Sequence, residues 1–159
     1  MKKITPLLLR TASILMLIHL IGHTIGHSGW RKATDPAVRP VIAEMTGPKF
    51  PFMGAVRSMG DFYDGYGYAC SIAMLLFVVL LWLIGGDEAG GSDSSDSSGS
   101  PLGRRLTLVV AVALLVWGID ELIFFFLFAA CTTLLACLCC FIAFALMGSR
   151  SGDAGYRSL

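Results

Sequence analysis

His19, His23 and His27 are the chain's only histidines, and all three fall at four-residue spacing in the stretch LIHLIGHTIGHSGW. On a helix, at about 100° per residue, positions i, i+4 and i+8 drift only about 80°, so the imidazoles form one stripe about 12 Å long. Histidines at i and i+4 can share one divalent metal, and a carboxylate from a neighbouring helix would complete a two-histidine, one-carboxylate set. Without metal, histidine and acid pairs can carry protons or act as general acid and base on a lipid-like substrate.

Acids are available downstream. The stretch RSMGDFYDGYGY places Arg57, Asp61, Asp64 and Tyr68 at i, i+4, i+7 and i+11, one face of a second helix. Asp120 and Glu121 end a later apolar run. The expected site is a polar pocket drawing on His19, His23, His27, Arg57, Asp61, Asp64, Tyr68, Asp120 and Glu121, with His19, His23 and Asp61 as the candidate metal ligands. Plainer roles exist for each. A neutral histidine bonded to Thr24 or Tyr68 is ordinary glue between helices, Arg57 and Asp61 can form a simple helical ion pair, and Asp120 and Glu121 suit the headgroup layer.

The elements that must hold these groups are set by composition. With 55% hydrophobic and 14% charged residues and a mean hydropathy of +0.74, the chain is far more apolar than a soluble domain, whose charged fraction is about 25%. Apolar runs cover residues 4–29, 65–86 and 106–147. A bilayer takes about 20 helical residues, so the last run must fold back. Trp117, Asp120, Glu121, Phe124, Phe125 and Phe126 mark the reversal, since charges and aromatics favour the interface. The expected fold is all-α, a bundle of four transmembrane helices at residues 7–28, 65–86, 105–120 and 128–147. Ionisable groups inside it are expensive unless paired or wet, which is what makes the histidine stripe a functional candidate.

Topology brings the end of the first span, the start of the second and the end of the third to one membrane face, where the histidines and acids are expected to converge. Gly22 and Gly26 flank the stripe in a small-x-x-x-small pattern that admits a neighbouring helix. Lys2, Lys3, Arg10, Arg104, Arg105, Arg150 and Arg157 fall on the side of the termini, against Arg31, Lys32, Arg39, Lys49 and Arg57 on the other. That bias favours an inner-membrane protein with both termini cytoplasmic. The net charge of +1 gives no support for nucleic-acid binding. A cleaved signal peptide would suit the opening MKK and the small residues Gly26 and Ser28, but the apolar segment is longer than a signal's core and carries all three histidines.

In residues 30–64, Asp35 resembles a helix cap ahead of Val38, Ile42 and Met45 at helical spacing, which predicts a short amphipathic helix in the first loop. The following GPKFPFMG breaks that helix and offers Phe50 and Phe52 back toward the bilayer. Residues 87–103 read as a flexible, acidic Gly/Ser linker and residues 149–159 as a flexible tail, both too polar to offset their ordering entropy. Cys137 and Cys140 form a C-x-x-C, but in mid-span they lack the polar surroundings a thiolate needs and read as packing, as do Cys70 and Cys131.

The motifs HLIGHTIGHSGW, RSMGDFYDGYGY and the closing LLWLIGG resemble those of a family of small bacterial four-helix integral membrane proteins. Its pattern runs His-x3-His-Thr, then Arg-Ser-x2-Asp-Phe-Tyr-x-Gly-Tyr-Gly. The resemblance covers residues 17–86 and implies a single membrane domain without an assigned activity. It falls on His19, His23, Thr24, Arg57, Ser58, Asp61, Phe62, Tyr63, Gly65 and Gly67, and departs at Met59 and Gly60, where the family pattern carries bulky aromatics. The expected function is a binding or accessory protein in the lipid bilayer, taking a divalent metal or a small lipid-phase ligand. The alternative is a membrane oxidoreductase or isomerase acting on a quinone- or lipid-like substrate.

Overall fold

A computed structural model describes residues 4–90 and 101–156, with side chains through residue 148. The elements run α1 (Ile4–Gly29), a 3-10 turn (Trp30–Lys32), α2 (Arg39–Thr46), β1 (Phe50–Phe52), β2 (Ala55–Arg57), α3 (Met59–Gly90), α4 (Pro101–Phe124) and α5 (Leu127–Tyr156). The fold is all-α apart from one short hairpin. Among the described residues four helices are long and apolar enough to cross a membrane, and the chain is a multi-pass membrane protein. It divides into two compact units, one of Met1–His19 with Leu75–Leu159 and the other Leu20–Met74.

In the larger unit, α4 buries Thr107, Ala111, Leu114, Gly118 and Glu121, spaced alternately three and four apart, while α5 buries Ala129, Thr133, Ala136, Cys140, Ala143 and Met147. The long side chains Leu122, Ile123, Leu135 and Leu138 point outward. Lipid offers no hydrophobic drive for helices to associate, so they pack through small residues that let backbones close, with the bulky apolar groups left to the acyl chains. At Gly118 the missing side chain makes room for Leu134, where a Cβ would lie 2.6 Å from the Leu134 side chain. The Cys137 thiol donates to the Ala111 carbonyl at 3.4 Å. The Thr107 and Thr132 hydroxyls donate to carbonyls of their own helices, a local satisfaction that lets hydroxyls sit in a dry core.

The reversal between α4 and α5 takes only Phe125 and Phe126, so α4 outruns the expected span end at 120 and carries Glu121 inside its buried stripe. Both ends of the connector expected at 87–103 are helical. α3 runs on through Gly90 with Glu88 buried, α4 starts at Pro101 where a missing N–H costs nothing, and residues 91–100 lie outside the described residues. The α5 backbone continues to Tyr156, well into the expected tail, and residues 157–159 lie outside the described residues.

The smaller unit holds the end of α1, the amphipathic helix α2, the hairpin and the start of α3. Asp35 does not cap α2; its carboxylate accepts the Ala37 N–H in the turn before the helix, and Pro40 sits in the first turn of α2. The GPKFPFMG stretch, expected as loop, forms a two-residue hairpin turn. Met53 (φ 47°) and Gly54 (φ 85°) both take left-handed backbone, the requirement of the tight turn that matches strand twist. Phe50 and Phe52 therefore face the same way and pack on the Phe62 ring, with centroids 6.1 and 5.2 Å away. Gly60 is where the end of α2 touches α3; a Cβ there would lie 2.9 Å from the Thr46 methyl.

Candidate functional site

In the smaller unit the histidine stripe meets the first turns of α3 through backbone as well as side chains. His23 Nε2 donates to the Gly67 carbonyl at 3.0 Å. That oxygen also accepts the Ser71 hydroxyl at 3.2 Å, and Thr24 Oγ1 lies 3.1 Å from Ser71 Oγ, so the hydroxyls form a chain beside the imidazole. One turn on, the buried His27 donates Nε2–H to the Asp64 carbonyl at 3.3 Å, nearer than the Asp64 carboxylate at 3.9 Å. Its ring lies directly on Gly67, which has no side chain to obstruct it. Tyr68 meets it edge-on at 5.1 Å and Tyr63 tilted at 5.3 Å, while His23 stacks parallel at 5.8 Å.

The Asp64 carboxylate is held from α1's end. Trp30 Nε1 donates to Oδ1 at 2.6 Å, and Arg31 donates Nε and Nη2 to Oδ2 at 3.0 and 2.6 Å. Arg31 Nη2 also reaches Asp61 Oδ1 at 3.4 Å. Asp61 lies in the first turn of α3 and Arg31 just past the end of α1, so each charge complements the helix terminus it stands beside. Asp61 also closes the start of its own helix. Its Oδ2 accepts the Ser58 N–H at 2.9 Å while Ser58 Oγ accepts the Asp61 N–H at 3.2 Å. This reciprocal pair is a capping box with aspartate in the usual glutamate position, and it explains the Ser-x2-Asp spacing locally.

The larger unit holds a separate buried pair. His19 Nε2 lies 3.3 Å from Glu121 Oε1, and Nδ1 lies 3.0 Å from Thr133 Oγ1, with both side chains at 6% exposure or less. With Nε2–H given to the acid, Nδ1 accepts the Thr133 hydroxyl proton. Three elements, α1, α4 and α5, thus meet at one imidazole.

These contacts sort the expected residues. His23, His27, Asp61, Asp64 and Tyr68 do gather in the smaller unit, and His19 and Glu121 pair in the larger. Arg57 leaves the set: it lies in β2, exposed, with its guanidinium on the Val56 carbonyl, because α3 begins two residues later than the helical spacing assumed. Asp120 also leaves it. It is exposed, one 100° step away from the buried stripe that Glu121 occupies. Gly22 and Gly26 are exposed with nothing near them, so close approach happens at Gly67 instead.

The candidate metal set His19, His23 and Asp61 is not assembled. His23 Nε2 is spent on a carbonyl and Asp61 on Ser58 and Arg31. Among the described residues no group of three or more His, Cys, Asp or Glu side chains is placed to hold a metal.

Trp30, Arg31, Thr133 and Gly67 carry the contacts and were not singled out as site residues from sequence. For Arg31 the signal was present, since it continues the series 19, 23, 27 at the same four-residue step. No protein-family model, no curated protein and no solved structure matches this chain.

Proposed function

We propose that this is a bacterial inner-membrane binding or accessory protein, both termini cytoplasmic, whose histidines hold helices together rather than turn over a substrate. The observation that carries the reading is where the imidazole nitrogens go. His19 is committed to Glu121 and Thr133, His23 to the Gly67 carbonyl and His27 to the Asp64 carbonyl. A general base or metal ligand needs a nitrogen aimed at a space where substrate or ion can sit, whereas bonds between helices replace the partners that lipid does not supply. The surplus of Lys and Arg on the terminal side supports the orientation. The four-helix family resemblance supports the membrane assignment without adding an activity.

The test is elemental analysis of protein purified in nanodiscs, with thermal unfolding measured before and after added Zn²⁺. The expected outcome is substoichiometric zinc, iron and manganese, no shift with Zn²⁺, and lower stability in His23→Ala. Stoichiometric metal that is lost in His23→Ala would overturn the reading.

The buried His19–Glu121 pair favours a second reading, a membrane oxidoreductase or isomerase, because an ionisable pair inside a span is a natural place to hold a proton. Copurified quinone or isoprenoid converted by the native protein and not by Glu121→Gln would select it.

A further inference from the structure

Within the larger unit, α1 and α3 leave an apolar groove of about 260 Å³. Ile14 and Leu17 line it from α1, and Val79, Trp82 and Leu83 from α3. The hydroxyl of Ser13 in its lining already donates to the Val78 carbonyl at 2.8 Å, and the walls are otherwise aliphatic and aromatic surface. The space is larger than an engineered cavity of about 150 Å³ that takes up a benzene. Toward the start of α1 the helices close on one another at Gly85, where a Cβ would lie 3.3 Å from Leu9 Cβ and 3.4 Å from Arg10 Cγ. At that closed end stands Arg10, exposed, its guanidinium over the Trp82 ring at 5.3 Å. Among the described residues no carboxylate lies within ion-pair distance of it.

We infer that this groove holds one acyl chain of an anionic phospholipid, with the phosphate on Arg10. The inference rests on the binding-protein reading above and names its ligand. A chain fits because the groove is dry-walled and lies on the acyl-facing surface. The anionic headgroup follows from charge. A guanidinium near the positively charged membrane side matches a phosphate by bidentate hydrogen bonding, and packing on an indole holds the cation in place at the depth where tryptophan prefers to sit.

The experiment reconstitutes the full chain in vesicles of mixed phosphatidylcholine and phosphatidylglycerol, releases it into mild detergent, and counts retained lipids by native mass spectrometry. The native protein is expected to keep one phospholipid, with phosphatidylglycerol enriched over its share in the vesicle. Val79→Trp fills the groove and is expected to abolish retention while keeping the helical circular dichroism. Arg10→Gln changes only an exposed tip, so it reports even if the filled variant misfolds; it is expected to keep a lipid but lose the phosphatidylglycerol preference by about fivefold, the worth of one basic residue at a charged surface. Retention unchanged in a folded Val79→Trp, an undiminished preference in Arg10→Gln, or a lipid-free dimer in place of the lipid-bound chain would each overturn the inference. Stoichiometric metal that is lost in His23→Ala would instead defeat the reading of the histidines as contacts between helices, so the two failures are distinguishable.

Discussion

Gly67→Ala puts a methyl group where the His27 imidazole lies, because the ring rests on the glycine Cα with no space for a Cβ. The neighbour cannot yield cheaply: an imidazole is rigid, and the ring also contacts Tyr63 and Tyr68. Driving it off gives up the bond to the Asp64 carbonyl, about 1 kcal/mol net, and two ring contacts of about 0.5–1 kcal/mol each. Alanine returns about 1 kcal/mol of helix propensity. The net expectation is a loss of about 1–2 kcal/mol.

The sign should reverse when the obstacle is gone. In a His27→Ala background the same methyl enters vacated space and contributes its helix propensity, so Gly67→Ala is expected to stabilise by up to about 1 kcal/mol. The coupling across the double-mutant cycle is then about 2–3 kcal/mol, within the range for residues in direct contact. Titration with sodium dodecyl sulfate from mixed micelles, followed by far-ultraviolet circular dichroism, measures all four corners. Gly65→Ala, at a site with nothing near its added Cβ, is the control and should not lose stability. A Gly67→Ala variant as stable as the native chain, or one that costs the same with and without the imidazole, would refute the placement of His27.

Two further outcomes follow from the same contacts. His19→Leu or Glu121→Leu alone leaves the other group buried beside an aliphatic chain, and each is expected to cost about 3 kcal/mol in the same titration, while the double variant recovers to within about 1 kcal/mol of native; additive losses would show that the two do not interact. Ser58→Ala removes one half of the capping box and should cost about 1 kcal/mol, with faster hydrogen exchange at the Asp61 and Phe62 amides as the local signature.

The membrane class, the number of spans and the shared face of the histidines were legible in sequence, because hydropathy and the 3.6-residue period are properties of a single chain segment and need no partner. The capping box at Ser58 and Asp61 went unread, because helical spacing alone drew Arg57 onto a helix that begins only after it. What period and composition leave open is which acid a histidine meets. Asp120 and Glu121 are adjacent and chemically alike, yet only Glu121 points at His19, because the register of α4 against α1 and α5 decides which side of a 100° step faces inward. Likewise no local rule says that His27 would lie on Gly67 rather than that Gly22 or Gly26 would admit a helix; the choice depends on which two surfaces pack. The hairpin turn at Met53 and Gly54 was hidden for a related reason, since a methionine in left-handed backbone is held there by strand pairing and by the two phenylalanines on Phe62. Local chemistry assigned each segment its solvent, and only the meeting of segments assigned each polar atom its partner.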